Sequence, residues 1–459
     1  NVEVICDAEL LVRTQRAAAY IGITGTNGKS TTTSLIGHIM QVSGREAEIG
    51  GNLGIPALQL EPLEQEGTYV LEMSSFQLEL TRSITFDVAV LLNISPDHQD
   101  RYVGMDDYIA AKKMIFYRQT KPRTAVVGVD DDFSRAIYEQ LKAADDQVVI
   151  GVSGAERVHG GIYTVNGVLV DDTEGHETPV MDLRENPSLP GRHNWQNTAA
   201  AYAATKSAGV DPHAVMACIQ SYPGLVHRQE PVALVDGIGY VNDSKATNVD
   251  AAAKALQAFD KIRWIAGGLG KDGEDLSPHL RSRREVEKLL GEAGVPVTVL
   301  RAAIVVGAGG VSWEMTRELV KNLPAMVVPR WASTRTQPIA VQDVIRYLVG
   351  VTGRDEARGQ VYEVGGADQL SYKGMLQEAG EVMHGRRVPI LQVPVGTPML
   401  SEWWIKLVTG VDATTAGNLI ESMGTEVLQT DHSIRDVVPG EPLTYAEAVR
   451  RALAEDGRD

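Results

Sequence analysis

Cysteine is nearly absent: Cys6 and Cys218 are the only two in 459 residues. That excludes a disulfide scaffold and a cysteine-rich zinc site, and it suits a reducing cytoplasm. No apolar run reaches the ~18–20 residues of a membrane-spanning helix, so no membrane insertion is expected. Positive charge is in deficit, with 43 Lys+Arg against 60 Asp+Glu and a net charge of −17. Such a chain is not expected to bind nucleic acid by general charge attraction. The N-terminal NVEVICDAELLVR has no basic stretch followed by an apolar core, so it shows no secretory signal. It begins without Met and reads like mid-protein strand and turn, so an upstream segment is expected. What is present is ordinary. Hydrophobic residues make up 43%, enough for real cores, and the length allows two to four domains at ~100–200 residues each. Neither a short-period repeat nor a low-complexity linker occurs, and the sequence carries no signal of oligomeric state.

Apolar runs alternate with amphipathic stretches. Residues 18–25, 68–74, 86–95, 123–129 and 147–153 read as strands. SLIGHIMQV (34–42) carries a helical apolar stripe closed by Gly44. This alternation predicts an α/β fold with a mostly parallel sheet. Segment 157–182 alternates every second residue around an Asn166-Gly167 turn and reads as a hairpin. NTAAAYAATKSAG (197–209) is an Ala-rich helix. Beyond Pro223 the pattern gives strand, turn and strand, a helix over VDAAAKALQAF, a strand over 261–268, a helix over 282–294 and a buried strand over 296–307. Five of the six Trp follow residue 260, a shift that hints at a different origin for the last third.

Between the first strand and the first helix lies Gly22-Ile-Thr-Gly-Thr-Asn-Gly-Lys-Ser30. Glycines let the backbone approach oxyanions, and the helix N-terminus adds unpaired N–H groups and a positive dipole end. Lys29 would reach the β- and γ-phosphates, and Ser30 or Thr31 would offer a hydroxyl to Mg²⁺. The strict Walker spacing fails by one position, since Gly falls at 22 and 25 and Ile at 23. Glycines at 22, 25 and 28 also resemble a dinucleotide fingerprint of short-chain dehydrogenases. Lys-Ser-Thr-Thr directly afterwards favours a triphosphate with metal. A glycine turn without a ligand is the bland alternative.

A series of motifs then resembles the Mur ligases, the ATP-dependent amide-forming enzymes of peptidoglycan synthesis. They are GITGTNGKST (22–31), GGNLGIPAL (50–58), VLEMSSFQLE (70–79), LNISPDHQDRY (92–102), AAKKMIF (110–116), GRHNWQN (191–197), PGLVHR (223–228) and NDSKATN (242–248), and the likeness covers about 1–272. The branch that adds D-glutamate to UDP-N-acetylmuramoyl-L-alanine is the nearest. The resemblance implies ATP and Mg²⁺, with Gly25, Thr26, Asn27, Gly28, Lys29, Ser30 and Thr31 around the phosphates. It implies Glu72, His98 and Ser30 at the metal, with Lys112 carbamylated by CO₂ to help hold a second Mg²⁺. It places Asn194 and Asn197 at adenine, Arg228, Asp243 and Lys245 near phosphate and ribose, Asn52 and Thr247 at the substrates, and Lys271 at the D-glutamate.

The same resemblance implies a preceding uridine-binding domain, with residues 1–16 its remnant or linker. Residues 17–222 would form the central ATP-binding domain and 223–274 the start of a third domain. The segment of that third domain that holds the D-glutamate side chain is not found. From about 275 to 459 the chain instead resembles the C-terminal half of atypical short-chain dehydrogenases of the NAD-dependent epimerase or NmrA-like kind. VPVTVLRAAIVVG and TRTQPIAVQDVIRYLVG carry that likeness. The expected whole is a P-loop Mur-ligase central domain joined to a hybrid Rossmann-like region, a fusion across GGLG (267–270). An NAD(P)-binding protein and a non-catalytic fusion are the alternatives.

Overall fold

The computed structural model describes residues 3–98, 101–184, 186–246, 249–259, 261–265, 296–328, 330–392 and 426–456. The chain divides into two compact units, 1–264 and 265–459.

The first unit is built on a nine-stranded sheet in the order β2-β3-β1-β4-β5-β6-β7-β8-β9. The strands are β1 Ala19–Thr24, β2 Ala47–Gly51, β3 Thr68–Glu72, β4 Val88–Leu91, β5 Thr124–Gly128, β6 Val148–Ser153, β7 Ile162–Val165, β8 Val168–Asp171 and β9 Thr178–Asp182. Pairing is parallel from β2 through β7 and antiparallel from β7 to β9. Strands covered on both faces read as continuous apolar runs, and β3 and β4 are buried along their whole length. Alternate residues feed two cores. Tyr20, Tyr69, Leu71, Ala89 and Leu91 pack with helices α1 Asp7–Thr14, α3 Ser75–Glu79, α4 Met105–Lys113 and α5 Asp132–Ala144. Ile21, Ile23, Val70, Val88 and Val90 pack with α2 Lys29–Val42, α6 Arg192–Ser207 and α7 Pro212–Gln220. The small residues 199–201 of α6 are wholly buried, which lets that helix lie close on the sheet.

Segment 157–182 is three strands rather than a hairpin, because β9 adds antiparallel to β8. Its Asn166-Gly167 turn has φ of 50° and 82°, the left-handed pair that a tight hairpin turn requires. β10 Glu230–Val235 and β11 Ile238–Asn242 form a separate antiparallel ribbon, followed by α8 Val249–Leu256. The strand expected over 261–268 does not form at 261–265, which are exposed and pair with no strand. Residues 266–268, GGLG and the helix expected over 282–294 lie outside the described residues, as do Trp403 and Trp404.

The second unit is also α/β. Val299–Ala302 pairs in parallel with Val361–Val364, Val305–Val306 with Ile339–Ala340, and Met326–Val328 with Ile390–Gln392. Helices Val311–Asn322, Val341–Val351, Tyr372–His384 and Tyr445–Asp456 accompany them. The single buried strand expected over 296–307 is two short strands, mostly half-buried. Among the described residues each pairs with one other strand.

Candidate active site

Parallel register decides which side chains meet. Ile23 of β1 lies level with Glu72 of β3 and Val90 of β4. The chain therefore leaves all three strands at one edge of the sheet, the C-terminal edge where open α/β sheets bind ligands. There residues 25–28 turn into α2. Gly28 caps the helix with φ of 83°, a left-handed conformation that glycine adopts without strain. The loop after β4 clamps this turn. Thr26 N–H donates to the Asn93 carbonyl at 2.9 Å, Asn27 N–H to Asn93 Oδ1 at 2.9 Å, and Ser95 N–H to Thr26 Oγ1 at 3.0 Å.

Two ammonium groups converge on one carbonyl. Lys29 Nζ donates to the Gly25 carbonyl at 3.0 Å and to the Thr26 carbonyl at 2.9 Å. Lys112 Nζ, buried, donates to the same Gly25 carbonyl at 2.9 Å. Burial pulls the Lys29 amine below its ordinary pKa, and Glu72 partly opposes this. Burial, reinforced by the Lys29 charge, pulls Lys112 well below its own. Tyr108, one helical turn before Lys112, presents its ring 4.7 Å from the Lys112 Nζ and its hydroxyl 3.3 Å from Thr26 Oγ1. Arg228 adds a third cation, donating to Ser30 Oγ at 2.9 Å. Cations gathered in a low-dielectric turn repel one another unless an anion joins them or one loses its proton.

Glu72 is 2% exposed. Its Oε1 accepts from Asn52 Nδ2 at 2.9 Å, while its buried Oε2 has no partner among the described residues. His98 is more open and adopts φ of 53°, with its ring centroid 4.9 Å from that of Phe76 and 6.3 Å from that of Tyr108. Tyr108 thus lies near both Lys112 and His98, and the Glu72 charge acts on both lysines of the glycine turn. Among the described residues no three His, Cys, Asp or Glu side chains form a metal cage. Mg²⁺ does not ask for one. It takes one or two carboxylates, hydroxyls and phosphate oxygens. The unpartnered Glu72 Oε2, whose charge acts on Lys29, and the Ser30 hydroxyl at the start of α2 are of the types in that donor set.

Asn194 and Asn197 lie in the first turns of α6, both buried. A Cβ at Gly28 would lie 2.3 Å from Asn197 Oδ1, so Asn197 rests directly on the glycine turn. Asp243 accepts from Gln229 N–H at 3.1 Å, and Lys245 N–H donates to the His227 carbonyl at 3.1 Å. Thr31 is half-buried on α2. Thr247 and Lys271 lie outside the described residues. A cleft of about 480 Å³ adjoins the start of α6, bordered by Pro190, Gly191, Trp195, Gln229, Val241 and Phe259. Sequence reasoning missed Asn93, Tyr108 and Gln229. Asn93 stood inside a quoted motif at a strand end, which was signal enough; Tyr108 and Gln229 had no local signal.

Residues 23–205 match the Mur ligase middle domain. A UDP-N-acetylmuramoylalanine–D-glutamate ligase of Rhodospirillum rubrum is 51% identical over 295 residues, covering 64% of this chain and 62% of that protein. Proteins of the same name from Caulobacter vibrioides and Phenylobacterium zucineum are each 46% identical, over 307 and 304 residues, covering 64% of this chain and 64% of each. The chain spans a little under two thirds of the length of these relatives. The matched stretch includes the glycine turn, Glu72, Lys112 and both asparagines. No helix among the described residues is long and apolar enough to cross a membrane.

Proposed function

We propose that the chain is an ATP-dependent ligase of peptidoglycan precursor synthesis, adding D-glutamate to UDP-N-acetylmuramoyl-L-alanine through an acyl phosphate. The observation that carries this reading is the convergence of Lys29 and Lys112 on the Gly25 carbonyl, with an unpartnered Glu72 oxygen close by. A triphosphate entering the turn would replace the carbonyls as the partner of Lys29 and relieve the crowding of cations. Backbone N–H groups at the start of α2 would hold its oxygens. The substrate carboxylate would take the terminal phosphoryl group, ADP would leave, and the D-glutamate amine would displace phosphate from the acyl carbon. Mg²⁺, held by Glu72 and Ser30 with His98 and Lys112 nearby, would neutralise charge on the phosphates. Burial that lowers the Lys112 pKa favours the neutral amine, the form that reacts with CO₂, and this supports carbamylation of Lys112. Asn197 would meet adenine; Asp243 and Lys245 lie toward ribose and phosphate; Asn52, Thr247 and Lys271 would face the substrates. Use of ATP assigns the reaction to the cytoplasm.

We read 223–274 as the start of the Mur-type third domain and the region from 275 as related to the C-terminal half of atypical short-chain dehydrogenases. The parallel strand pairs of the second unit and the helix Val341–Val351 support the latter. Calorimetry with Mg·ATP tests the main reading. Binding by the unsubstituted chain and a loss of about 10- to 100-fold in Lys29→Ala are expected, the worth of a hydrogen bond to a charged group. Absence of ATP binding overturns it. Quenching by NADPH that Lys29→Ala leaves intact would favour a dinucleotide-binding protein.

A further inference from the structure

We infer that Tyr108 is a positioning residue: its hydroxyl ties Thr26 of the glycine turn to α4, so that the turn keeps its shape when a phosphate chain draws the lysines away. The inference rests on the ATP reading above. Tyr108 and Lys112 are four residues apart in α4, a spacing that puts both on one face of the helix. Both are buried. From that face they reach consecutive residues of the turn. Lys112 Nζ donates to the Gly25 carbonyl at 2.9 Å, and the Tyr108 hydroxyl lies 3.3 Å from Thr26 Oγ1. Thr26 decides the direction of the second bond. A threonine hydroxyl has one O–H and two lone pairs. Thr26 gives its proton to the Ser95 carbonyl at 3.1 Å and accepts from the Ser95 N–H at 3.0 Å. One lone pair is left, and Tyr108 is the donor that fills it.

The two bonds from α4 differ in how they respond to an anion. Lys29 and Lys112 both bring an ammonium group to the Gly25 carbonyl. Phosphate oxygens are charged, and they compete for ammonium groups more strongly than a neutral carbonyl does. The Tyr108–Thr26 bond joins two neutral hydroxyls, so it persists where the lysine bonds are exchanged. The ring of the same residue lies 4.7 Å from Lys112 Nζ, which favours the ammonium over its face while that group is on Gly25. The other side-chain anchor of Thr26 is Ser95, in the loop after β4. Tyr108 therefore adds a helix to a turn otherwise clamped by a loop, and a more rigid turn presents its N–H groups to phosphate with less ordering left to do.

The test is calorimetric titration of Mg·ATP into the full chain, Tyr108→Phe, Thr26→Val and the double variant, with a urea midpoint for each. Tyr108→Phe keeps the ring over Lys112 and removes the hydroxyl alone. It should lower the affinity for ATP about two- to fivefold, the worth of one long neutral hydrogen bond. Both groups act through one bond, so in the Thr26→Val background the same change should cost about 1.5-fold or less. A bond that serves only the fold would move the urea midpoint and leave the affinity of the folded protein unchanged. An affinity unchanged in Tyr108→Phe overturns the inference, and so does a loss of equal size in both backgrounds. Tyr108→Phe decides alone if Thr26→Val does not fold. Either overturning result leaves the ATP reading standing. An unsubstituted chain that does not bind ATP overturns both.

Discussion

Val70 in β3 and Leu234 in β10 are both apolar strand residues, yet one is fully buried and the other is 77% exposed. The contrast extends to their neighbours. β3 is buried at every position, whereas Val232, Ile238 and Tyr240 of the ribbon are each at least half exposed. Both segments are rich in the residue types that favour strands. The difference is cover. β3 has a strand on each side and helices on both faces, and the ribbon strands have only each other among the described residues. Strand-forming composition thus specifies extended backbone, while burial depends on what the rest of the chain packs against it.

Substitutions on the two sides should separate sharply. The largest effect is expected at Gly128→Ala in β5. An added Cβ would lie 1.9 Å from the Leu92 carbonyl oxygen, part of the backbone that leads into the Asn93 clamp. Overpacking of this kind should cost about 3 kcal/mol, read as a lower urea midpoint at unchanged slope. A variant as stable as the parent would show that the sheet yields as easily as the ribbon.

An intermediate effect is expected for Glu9→Gln on α1. Glu9 is fully buried against the sheet's cover. Burial pushes its pKa up. The N–H groups of Arg82 and Ser83, the Ser83 hydroxyl and the Arg13 guanidinium outweigh that and hold it at about 2. Because the folded value is depressed from 4.5, its contribution to stability is fully present above pH 4.5 and is lost as the pH falls through about 2. Losing hydrogen bonds to a buried charge should cost about 2 kcal/mol at neutral pH. Denaturant titrations at pH 7 and pH 2 should show the gap between parent and variant closing in acid. A gap independent of pH would locate the loss in packing. The smallest effect is expected at Leu234→Ser, within about 0.5 kcal/mol. A larger loss would reveal that the ribbon is covered after all.

Much of the first unit was legible from residue order. β1, β3, β4 and β5 follow from apolar runs, α2 from its stripe, and α6 from its alanines, because each depends on local periodicity. The three-stranded form of 157–182 was not legible. β9 joins by pairing with β8, and nothing local distinguishes an added strand from a hairpin arm. In the site, the glycine turn with Lys29 could be read directly, since its chemistry sits in consecutive residues. Tyr108 could not, because its role depends on α4 bringing it to Thr26.

Residue order alone determined that an α/β chain would present a glycine turn, a lysine and hydroxyls at the start of a helix, since composition and short-range spacing suffice for that. Only the tertiary structure decided that Lys112, 87 residues away, shares the Gly25 carbonyl with Lys29, and that Gln229 reaches Asn194. Those meetings follow from parallel strand register and from which faces are buried, and both are properties of the packed sheet rather than of any one segment.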